Sequence, residues 1–270
     1  MKNNKSFLTR VSKEIRLNIL NEIFNKKKGH IGGCLSCVDL LVSIYFSNIF
    51  KLKKKDLKSK KRDRFILSKG HAALALYAVL DKIGVSKDFK LSNFNKKGSL
   101  LLEHPSPSKN LPGIETETGS LGNGIGIGCG IAYAKRDLKV IVLVGDGELY
   151  EGSNWEALMM AASYNLSNLM VIVDRNKFIT LDKTENLIKL ESLMKKFQAF
   201  NFNTSVINGH NFEEIKKNLL KFKRPKNNKP FCIIANTIKG KGVKFMENNK
   251  SFHHKVPNKL EYKKALELLN

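Results

Sequence analysis

The sequence predicts an α/β fold in which a parallel β-sheet carries helices on both faces. Two short runs, Val140–Val144 and Met170–Val173, consist of β-branched and other aliphatic residues without polar alternation, which is the pattern of strands buried on both sides. A helix-length segment connects them and completes a βαβ unit. Because no repeat, Gly/Ser-rich linker or break in composition divides the 270 residues, we predict a single domain over residues 1–270.

Helices and a strand are also predicted before this unit. After the first helix of the chain, which is described below, a second helix is expected from about Ser36, with Ser36 and Asp39 forming its cap. Arg64–Leu67 is expected to be a short strand, followed by a helix over Ala72–Ile83 that Gly84 ends in a left-handed conformation. The first helix of the chain is expected to be amphipathic, because apolar residues recur every three to four positions. These residues are Leu8, Val11, Ile15, Ile19 and Ile23.

The rest of the chain continues the alternation of strands and helices. Asn93–Pro112 is predicted to be rich in loops, and Gly122–Ala134 to be a glycine-heavy helix whose small residues allow close packing. Further strands are expected at Ser205–Ile207 and Phe231–Asn236, with a helix over Phe212–Phe222 between them. Regular alternation of this kind is typical of a parallel sheet covered by helices.

The cysteines and the start of the chain bear on the cellular compartment. One Cys-x-x-Cys pair has no second pair to complete a zinc site, so we predict reduced, structural cysteines. Met1–Lys5 lacks the apolar core of a signal peptide, and no run approaches the roughly 18 apolar residues of a membrane span. We therefore expect a cytoplasmic protein with no membrane partner. The cysteines are Cys34, Cys37, Cys129 and Cys232.

A metal site is predicted where the two buried strands end. Gly145-Asp146-Gly147 follows the first strand and Asn176 follows the second. Ligands of parallel sheets bind at the carboxyl ends of the strands, where glycines also let backbone N–H groups approach closely. A lone Gly-Asp-Gly would more often be a simple turn, but Asn176 at the second strand end favours the metal site. Its all-oxygen ligands suit Mg²⁺ or Ca²⁺ bridging a diphosphate better than zinc.

The spacing of about thirty residues between Gly145-Asp146-Gly147 and Asn176 resembles the thiamine diphosphate fingerprint. Several flanking segments resemble transketolase motifs and occur in transketolase order. The resemblance covers nearly the whole chain, but only the first third of a full-length transketolase. The chain therefore resembles the amino-terminal subunit of a split transketolase. The flanking segments are Gly29–Gly33, Ser68–His71, Glu103–Pro105, Pro112–Gly124 and Phe245–Asn249, which precedes His253.

The resemblance implies a thiamine diphosphate-binding fold with Mg²⁺ as the metal and Ca²⁺ as a substitute. Asp146 and Asn176 would bind the metal through their side chains, and Phe178 through its main-chain carbonyl. Asn176 would also count among the cofactor contacts. The Gly147 N–H would face the diphosphate, and His71 would donate a hydrogen bond to a phosphate oxygen.

Other cofactor contacts are implied further along the chain. Gly119, Ser120 and Leu121 would supply main-chain groups to the aminopyrimidine ring of the cofactor. Glu151, expected in the helix after the fingerprint, resembles an acid of the hydrogen-bond network between paired active sites. An exposed glutamate in the first turn of a helix is also favoured by the helix dipole alone, so this alternative stays open.

The resemblance gives three histidines a catalytic role. His30, His104 and His253 would line the substrate channel, hold substrate hydroxyls and move protons, which histidine can do near neutral pH. His253 would also contact the cofactor. His210 and His254 receive no role.

The sequence also departs locally from the family pattern. Ile31 stands where the family often has proline, and Phe252 and His254 flank His253 where tryptophan and glycine are common. These departures concern the geometry of the loops rather than the class of reaction.

The implied activity is transfer of a two-carbon ketol unit from a ketose phosphate to an aldose phosphate. In transketolases, a glutamate of the pyrimidine-binding domain protonates the cofactor ring, and nothing in this sequence corresponds to that domain or to the carboxyl-terminal domain. We therefore expect the chain to be inactive alone and to require a carboxyl-terminal transketolase subunit, in an α₂β₂ assembly. Pentose phosphates are the usual substrates of the family, but the sequence leaves the sugars undefined.

Three alternatives remain for the function. The first is a subunit of another thiamine diphosphate enzyme, a 2-oxo acid dehydrogenase α subunit or a deoxyxylulose-phosphate synthase. The second is a non-catalytic module that binds cofactor or partner. The third, a nucleic-acid-binding protein, is suggested by the net charge of +24. Because lysines are scattered and no basic stripe alternates with aromatics, we predict no nucleic-acid partner and a solvated surface that attracts sugar phosphates.

Overall fold

The computed structural model describes residues 4–86, 89–108 and 111–270. In this part of the chain, parallel strands form a sheet in the order β1-β2-β3-β5-β4, which confirms the predicted parallel sheet. The strands are β1 Arg64–Leu67, β2 Val140–Gly145, β3 Leu169–Arg175, β4 Asn203–Asn208 and β5 Phe231–Asn236. The helices are α1 Asn4–Lys26, α2 Ile31–Ser36, α3 Val38–Phe46, α4 Ala73–Ile83, α5 Gly124–Ala134, α6 Gly152–Ser163, α7 Thr184–Leu187, α8 Leu193–Ala199, α9 Phe212–Lys223 and α10 Lys259–Leu269.

The central strands are buried on both faces, because helices pack against the two sides to which alternate residues point. In β2, Ile141 and Leu143 join a core with α1, α3, α4 and α9, whereas Val142 and Val144 join a core with α5, α6 and α8. Every residue of β2 and β3 is buried. The predicted helices on both faces are thus confirmed, while the single domain over residues 1–270 stays a prediction.

Glycines with positive φ set two of the helix boundaries. The helix predicted over Ala72–Ile83 begins one residue later, after a 3₁₀ turn at Gly70–Ala72. Gly84 ends this helix with φ +67° and ψ +49°, the left-handed conformation that was expected. The glycine-heavy helix begins at Gly124, two residues later than predicted, because Gly122 has φ +90° and cannot continue a right-handed helix.

The later elements agree with the sequence pattern. The strands expected at Ser205–Ile207 and Phe231–Asn236 lie within β4 and form β5, respectively. The described residues of Asn93–Pro112 contain neither a helix nor a strand beyond the end of a 3₁₀ turn at Leu91–Asn93, as predicted, and residues 109 and 110 lie outside the described part.

The predicted cap of the second helix is wrong. Ser36 is the last residue of α2, and α3 begins at Val38. The Ser36 hydroxyl donates to Oδ2 of Asp174 (2.6 Å), and Asp39 in the first turn of α3 accepts from Arg16 (2.7 Å). The Ser36 hydroxyl also lies 3.1 Å from the Gly33 carbonyl, within its own helix. Neither side chain therefore caps the start of a helix at Ser36.

The cysteines are buried and free, as predicted. Burial raises the pKa of Cys34 and of Cys37 to about 12, so neither thiol is ionised at neutral pH. None of the helices in residues 4–86, 89–108 and 111–270 combines the length and the apolar character needed to cross a bilayer.

Candidate active site

The candidate site lies at the carboxyl ends of β2 and β3. Gly145 pairs in register with Asp174, so the residues that follow the two strands lie side by side, as expected. Asp146 is 1% exposed and Asn176 is 6% exposed. The two predicted metal ligands are therefore largely withdrawn from solvent at neighbouring strand ends.

The carboxylate of Asp146 is held from several directions. Its Oδ2 accepts from Nη1 of Arg175 (2.8 Å) and from the Lys177 amide (2.6 Å). Its Oδ1 accepts from the Gly147 amide (2.9 Å), the group predicted to face a diphosphate. Asp146 also caps the 3₁₀ turn Gly147–Tyr150 in this way, which orients the carboxylate toward the strand ends.

Arg175 is shared among several acids. Its guanidinium contacts Asp146, Glu185 (3.1 Å) and Glu191 (2.9 Å), so three carboxylates share one positive charge. Burial raises the pKa of Asp146, and Arg175 offsets this rise only in part. A cation bound at Asp146 would stabilise the charged form of this buried carboxylate. The residues present therefore fit a divalent cation with oxygen ligands.

Asn176 and Phe178 form the other side of this predicted metal site. Oδ1 of Asn176 accepts from the Phe178 amide (3.1 Å), which folds the loop after β3 back over the strand end. Phe178 is half-buried there. The metal contacts of the Asn176 amide and the Phe178 carbonyl stay predictions.

A second buried ion pair, which sequence reasoning missed, lies beneath the loop. Lys69 and Asp174 contact each other, and neither side chain is exposed to solvent. Burial alone would raise the pKa of Asp174, but the ammonium of Lys69 holds it below its usual value. Asp174 also accepts from Ser36 and Thr237 and contacts the Asn176 amide group (3.4 Å). The only sequence signal for Lys69 was its place in the Ser68–His71 motif.

Glu148 is a further buried acid that sequence reasoning did not single out, although it directly follows the fingerprint. It is 2% exposed and accepts from the Ser68 hydroxyl and from the amides of Gly122 (3.0 Å) and Gly145 (3.2 Å). Glu148 therefore ties together the ends of β1 and β2 and the turn before α5.

Glu151 lies outside the helix in which it was expected. It is exposed and immediately precedes α6, with extended backbone angles of φ −73° and ψ 124°, and its side chain makes no capping hydrogen bond. The expectation of a first-turn position is therefore wrong. Its predicted role in a network between paired sites stays a prediction.

The segment predicted to contact the aminopyrimidine lies at the rim of the site. Gly119 and Ser120 are exposed and Leu121 is half-buried. A Cβ built on Gly119 would lie 3.5 Å from the His104 ring, so this segment borders the histidines. The carbonyl of Ser120 accepts from the Asn123 side chain (3.3 Å), which fixes the turn.

The predicted site histidines gather around His30. The centroid of its ring lies 5.6 Å from that of His71, 6.0 Å from that of His104 and 5.5 Å from that of His253. His254, which received no role, is nearer still at 4.3 Å. The structure therefore brings together side chains separated by more than two hundred positions in the sequence.

Most of this cluster is uncharged near neutral pH. Burial lowers the pKa of His30 to about 4 and that of His253 to about 3, and it lowers the pKa of His71 well below its usual value. The nearby positive charge of Lys239 adds to these shifts. Neutral imidazoles can both donate and accept hydrogen bonds, as the handling of substrate hydroxyls requires.

Lys239 is another site residue that sequence reasoning missed. It is 1% exposed, and its ammonium lies 2.8 Å from Nδ1 of His253 and 3.2 Å from the Ile179 carbonyl. Burial lowers the pKa of Lys239 to about 8. This residue therefore keeps a buried positive charge between the predicted metal loop and the histidines at neutral pH.

His210 is not part of this cluster. Its Nδ1 lies 2.7 Å from Oδ2 of Asp39, and its Nε2 accepts from the Ile238 amide (2.9 Å). His210 therefore holds the backbone of Ile238, the residue directly before Lys239.

Comparison with known proteins agrees with this arrangement. The family model described as transketolase, thiamine diphosphate binding domain, matches residues 8–265. The chain belongs to this transketolase family. The resemblance inferred from the motifs is therefore confirmed.

Relatives within the transketolase family fall into two length classes. The chain is 39% identical over 259 residues to a subunit of the apulose-4-phosphate transketolase of Phocaeicola vulgatus, and the match covers 94% of this chain and 91% of that relative. It is 35% identical over 246 residues to the transketolase of Homo sapiens, covering 89% of this chain but 38% of that protein. The chain therefore matches the length of the bacterial relative and spans well under half of a full-length transketolase.

Solved transketolase structures share the fold. The transketolase from Leishmania mexicana superposes with a TM-score of 0.90 at 26% identity, covering 97% of this chain and 41% of that chain. The transketolase from Campylobacter jejuni superposes with a TM-score of 0.87 at 30% identity, covering 98% and 43%, respectively. The parallel sheet with its helices is thus the fold of the corresponding part of these transketolases.

Proposed function

We propose that this chain binds thiamine diphosphate with Mg²⁺ and, together with a second subunit, transfers a two-carbon ketol unit from a ketose phosphate to an aldose phosphate. Membership of the transketolase thiamine diphosphate binding family supports the cofactor. The observation that carries the proposal is the buried carboxylate of Asp146, which lies at the strand ends together with Asn176. This carboxylate shares the Arg175 guanidinium with two other acids. The site offers oxygen ligands, which Mg²⁺ prefers.

The residues of the chain would divide the work of binding the cofactor. Asp146, Asn176 and the Phe178 carbonyl would hold Mg²⁺, with Ca²⁺ as a substitute. The ammonium of Lys239, buried near the metal loop, would face the negative charge of the diphosphate. When bound, the cofactor supplies the carbon nucleophile and the electron sink that the reaction needs.

The neutral histidines would act on the substrate. His30, His104 and His253 would hold substrate hydroxyls and move protons at the carbonyl oxygen and at the hydroxyl of the bond to be cleaved. Near neutral pH, the low pKa of His30 and His253 favours acceptance of hydroxyl hydrogen bonds over permanent positive charge. Lys239 donates toward His253 and would orient its ring.

A partner chain is also part of the proposal. The bacterial relative of matching length is itself named as one subunit of its enzyme. Exposed apolar side chains also lie in the segment that follows β3 in this chain. Leu181 is 71% exposed, Ile188 is 63% exposed and Leu187 is 45% exposed. Such a surface is typical of an interface. We propose a partner that carries pyrimidine-binding and carboxyl-terminal domains, an α₂β₂ assembly and a cytoplasmic location.

The experiment that tests the function compares the chain alone with its complex. Purified with such a partner, the chain should exchange two-carbon units between sugar phosphates when thiamine diphosphate and Mg²⁺ are present, and without the partner it should not. Asp146→Ala should abolish cofactor binding, measured by calorimetry, and also two-carbon exchange. Asp137→Ala, which removes an exposed carboxylate just before β2, is the matched control and should preserve both. Full exchange by Asp146→Ala would refute the proposal.

A screen of donors in the same complex addresses the substrate. Ketose phosphates of different chain length and branching would be compared, with 2-oxo acids as the alternative class. Turnover of 2-oxo acids in place of ketose phosphates would assign the chain to another group of thiamine diphosphate enzymes.

A further inference from the structure

We infer that His30, His253 and His254 form a binding site for a transition-metal ion of the Zn²⁺ class, chemically distinct from the oxygen-ligand site at Asp146. One ligand atom from each of the three side chains lies within 4.8 Å of the others. The ring centroid of His254 lies 4.3 Å from that of His30 and 4.7 Å from that of His253. The two histidines that line the predicted substrate channel thus meet a third at its open side.

The chemistry of the ligands selects the metal. Three imidazoles with a fourth position open to water form a common zinc site, whereas Mg²⁺ prefers oxygen. With nitrogen atoms about 2.0–2.1 Å from tetrahedral zinc, neighbouring ligand atoms are roughly 3.3 Å apart. The present spacing, which reaches up to 4.8 Å, therefore has to close by up to about 1.5 Å. His254 is exposed, so rotation of its side chain can bring its ring closer to the other two.

His30 supplies a second, independent observation. Its Nδ1 is buried and has no hydrogen-bond partner among the described residues. Buried polar atoms are almost always satisfied, so this nitrogen is available to a ligand, and a metal ion held by the three imidazoles is one ligand that would satisfy it. The low pKa of His30 and His253 supports this role, because a ring must be unprotonated to bind a metal.

Lys239 opposes the metal and limits its affinity. Its ammonium lies 2.8 Å from Nδ1 of His253, and Nε2 of the same ring lies 3.2 Å from the Thr180 hydroxyl. A metal bound through His253 replaces one of these contacts and lies near a positive charge. We therefore expect binding weaker than at a closed structural zinc site.

The consequence for activity rests on the proposed function, whereas metal binding itself does not. His254 stands where glycine is common in transketolases, and a glycine there would not supply this third ligand. Zinc held by His30 and His253 would remove both rings from the substrate. Exchange by the assembled enzyme in excess Mg²⁺ should therefore be inhibited by Zn²⁺ and restored by a chelator that is selective for Zn²⁺ over Mg²⁺.

In the test, the full chain competes with a coloured chelator for Zn²⁺, which measures its Zn²⁺ affinity. A second titration with Co²⁺ reports the coordination geometry through visible absorption. We expect one site per chain and tetrahedral Co²⁺ absorption. His254→Gly and His254→Asn should each weaken Zn²⁺ binding by about tenfold or more, because even supporting residues of metal sites contribute that much. His104→Asn removes a histidine of the cluster outside the ligand set and should leave Zn²⁺ affinity unchanged.

Two outcomes would overturn the inference, and both are independent of the cofactor. One is a His254→Gly variant that binds Zn²⁺ as tightly as wild type and is shown by circular dichroism to be folded. The other is equal loss in His104→Asn, which would indicate general disturbance of the cluster. Asp146→Ala should retain Zn²⁺ binding, so failure of the proposed function and failure of the zinc site give different results.

Discussion

Nη1 of Arg175 lies 2.8 Å from Oδ2 of Asp146, and both side chains are almost completely buried. Arg175 belongs to the end of β3 and Asp146 follows β2, so this contact locks the two strand ends together at the predicted metal site. Because Glu185 and Glu191 compete for the same guanidinium, the contact orients the carboxylate without neutralising its surroundings.

The first prediction concerns the charge that Arg175 provides. Arg175→Met should lower the free energy of unfolding by about 3 kcal/mol, because it leaves a buried carboxylate without its partner. Mg²⁺ should recover part of this loss, since a cation at Asp146 replaces the missing charge. Urea unfolding followed by circular dichroism, with Mg²⁺ and with a chelator, measures both effects.

Lys177→Met is the control for Arg175→Met. Lys177 has an exposed side chain in the same loop, and its contact with Asp146 is made by the backbone amide. Its loss should change the free energy of unfolding by less than about 0.5 kcal/mol. If Arg175→Met lost the same stability with Mg²⁺ as with chelator, a cation at Asp146 would be contradicted.

The second prediction concerns the buried pair of Lys69 and Asp174. Lys69→Met should cost about 3–5 kcal/mol of unfolding free energy, because Asp174 would remain charged in a site with no solvent exposure. Lys69→Met combined with Asp174→Asn should be more stable than Lys69→Met alone, since the double variant buries no unpaired charge. Chemical unfolding of wild type, Lys69→Met, Asp174→Asn and the double variant measures this coupling, and strictly additive losses would argue against a coupled pair.

These interactions indicate how far the sequence alone can predict the site. The ends of β2 and β3, the left-handed Gly84 and the neighbouring positions of Asp146 and Asn176 follow from local patterns of burial, glycine and strand order. Such signals depend on residues that are close in the chain. The core strands were therefore predictable, and so was the edge of the sheet that carries the site.

Partners that are distant in sequence were not predictable in this way. Lys69 and Asp174 are 105 positions apart, and His210 and Asp39 are 171 positions apart. No periodicity relates such residues, and their pairing depends on which helices pack on which strands. For the same reason Asp39 was assigned to a helix cap, a local role that its buried partners exclude.

The third prediction is a dependence of stability on pH that arises from the histidine cluster. Burial lowers the pKa of His30 from 6.5 to about 4 and that of His253 to about 3. Below 6.5 the unfolded chain takes up protons that the folded protein excludes, so this contribution to stability is complete above pH 6.5 and falls progressively toward about pH 3, the pKa of His253.

Urea unfolding of wild type and of His30→Asn with His253→Asn tests this pH dependence. The difference in unfolding free energy between the two proteins should be constant above about pH 7 and should change between about pH 6.5 and 3, to the disadvantage of wild type. Carboxylate titration affects both proteins and cancels in the difference. A difference that does not vary with pH would mean that these imidazoles accept protons freely in the folded state.

The fourth prediction assigns a supporting role to His210. Because its Nε2 accepts from the Ile238 amide (2.9 Å), the proton resides on Nδ1 and is donated to Asp39 (2.7 Å). His210→Phe would leave that amide without its acceptor and remove one donor from Asp39, so we expect a loss of about 1–3 kcal/mol in unfolding free energy. The backbone next to Lys239 would loosen as well, and cofactor affinity in the assembled enzyme should fall.

A double-mutant cycle separates this support from general damage. Asp39→Asn alone removes the carboxylate that also binds Arg16, and the unfolding free energies of both single variants and the double variant give the coupling between His210 and Asp39. Direct contact predicts a coupling of about 0.5–3 kcal/mol. His210→Gln, whose side-chain carbonyl can accept from Ile238, should retain more cofactor affinity than His210→Phe. Equal cofactor affinity in these two variants would show that the Ile238 hydrogen bond does not position Lys239, because only one variant can restore it.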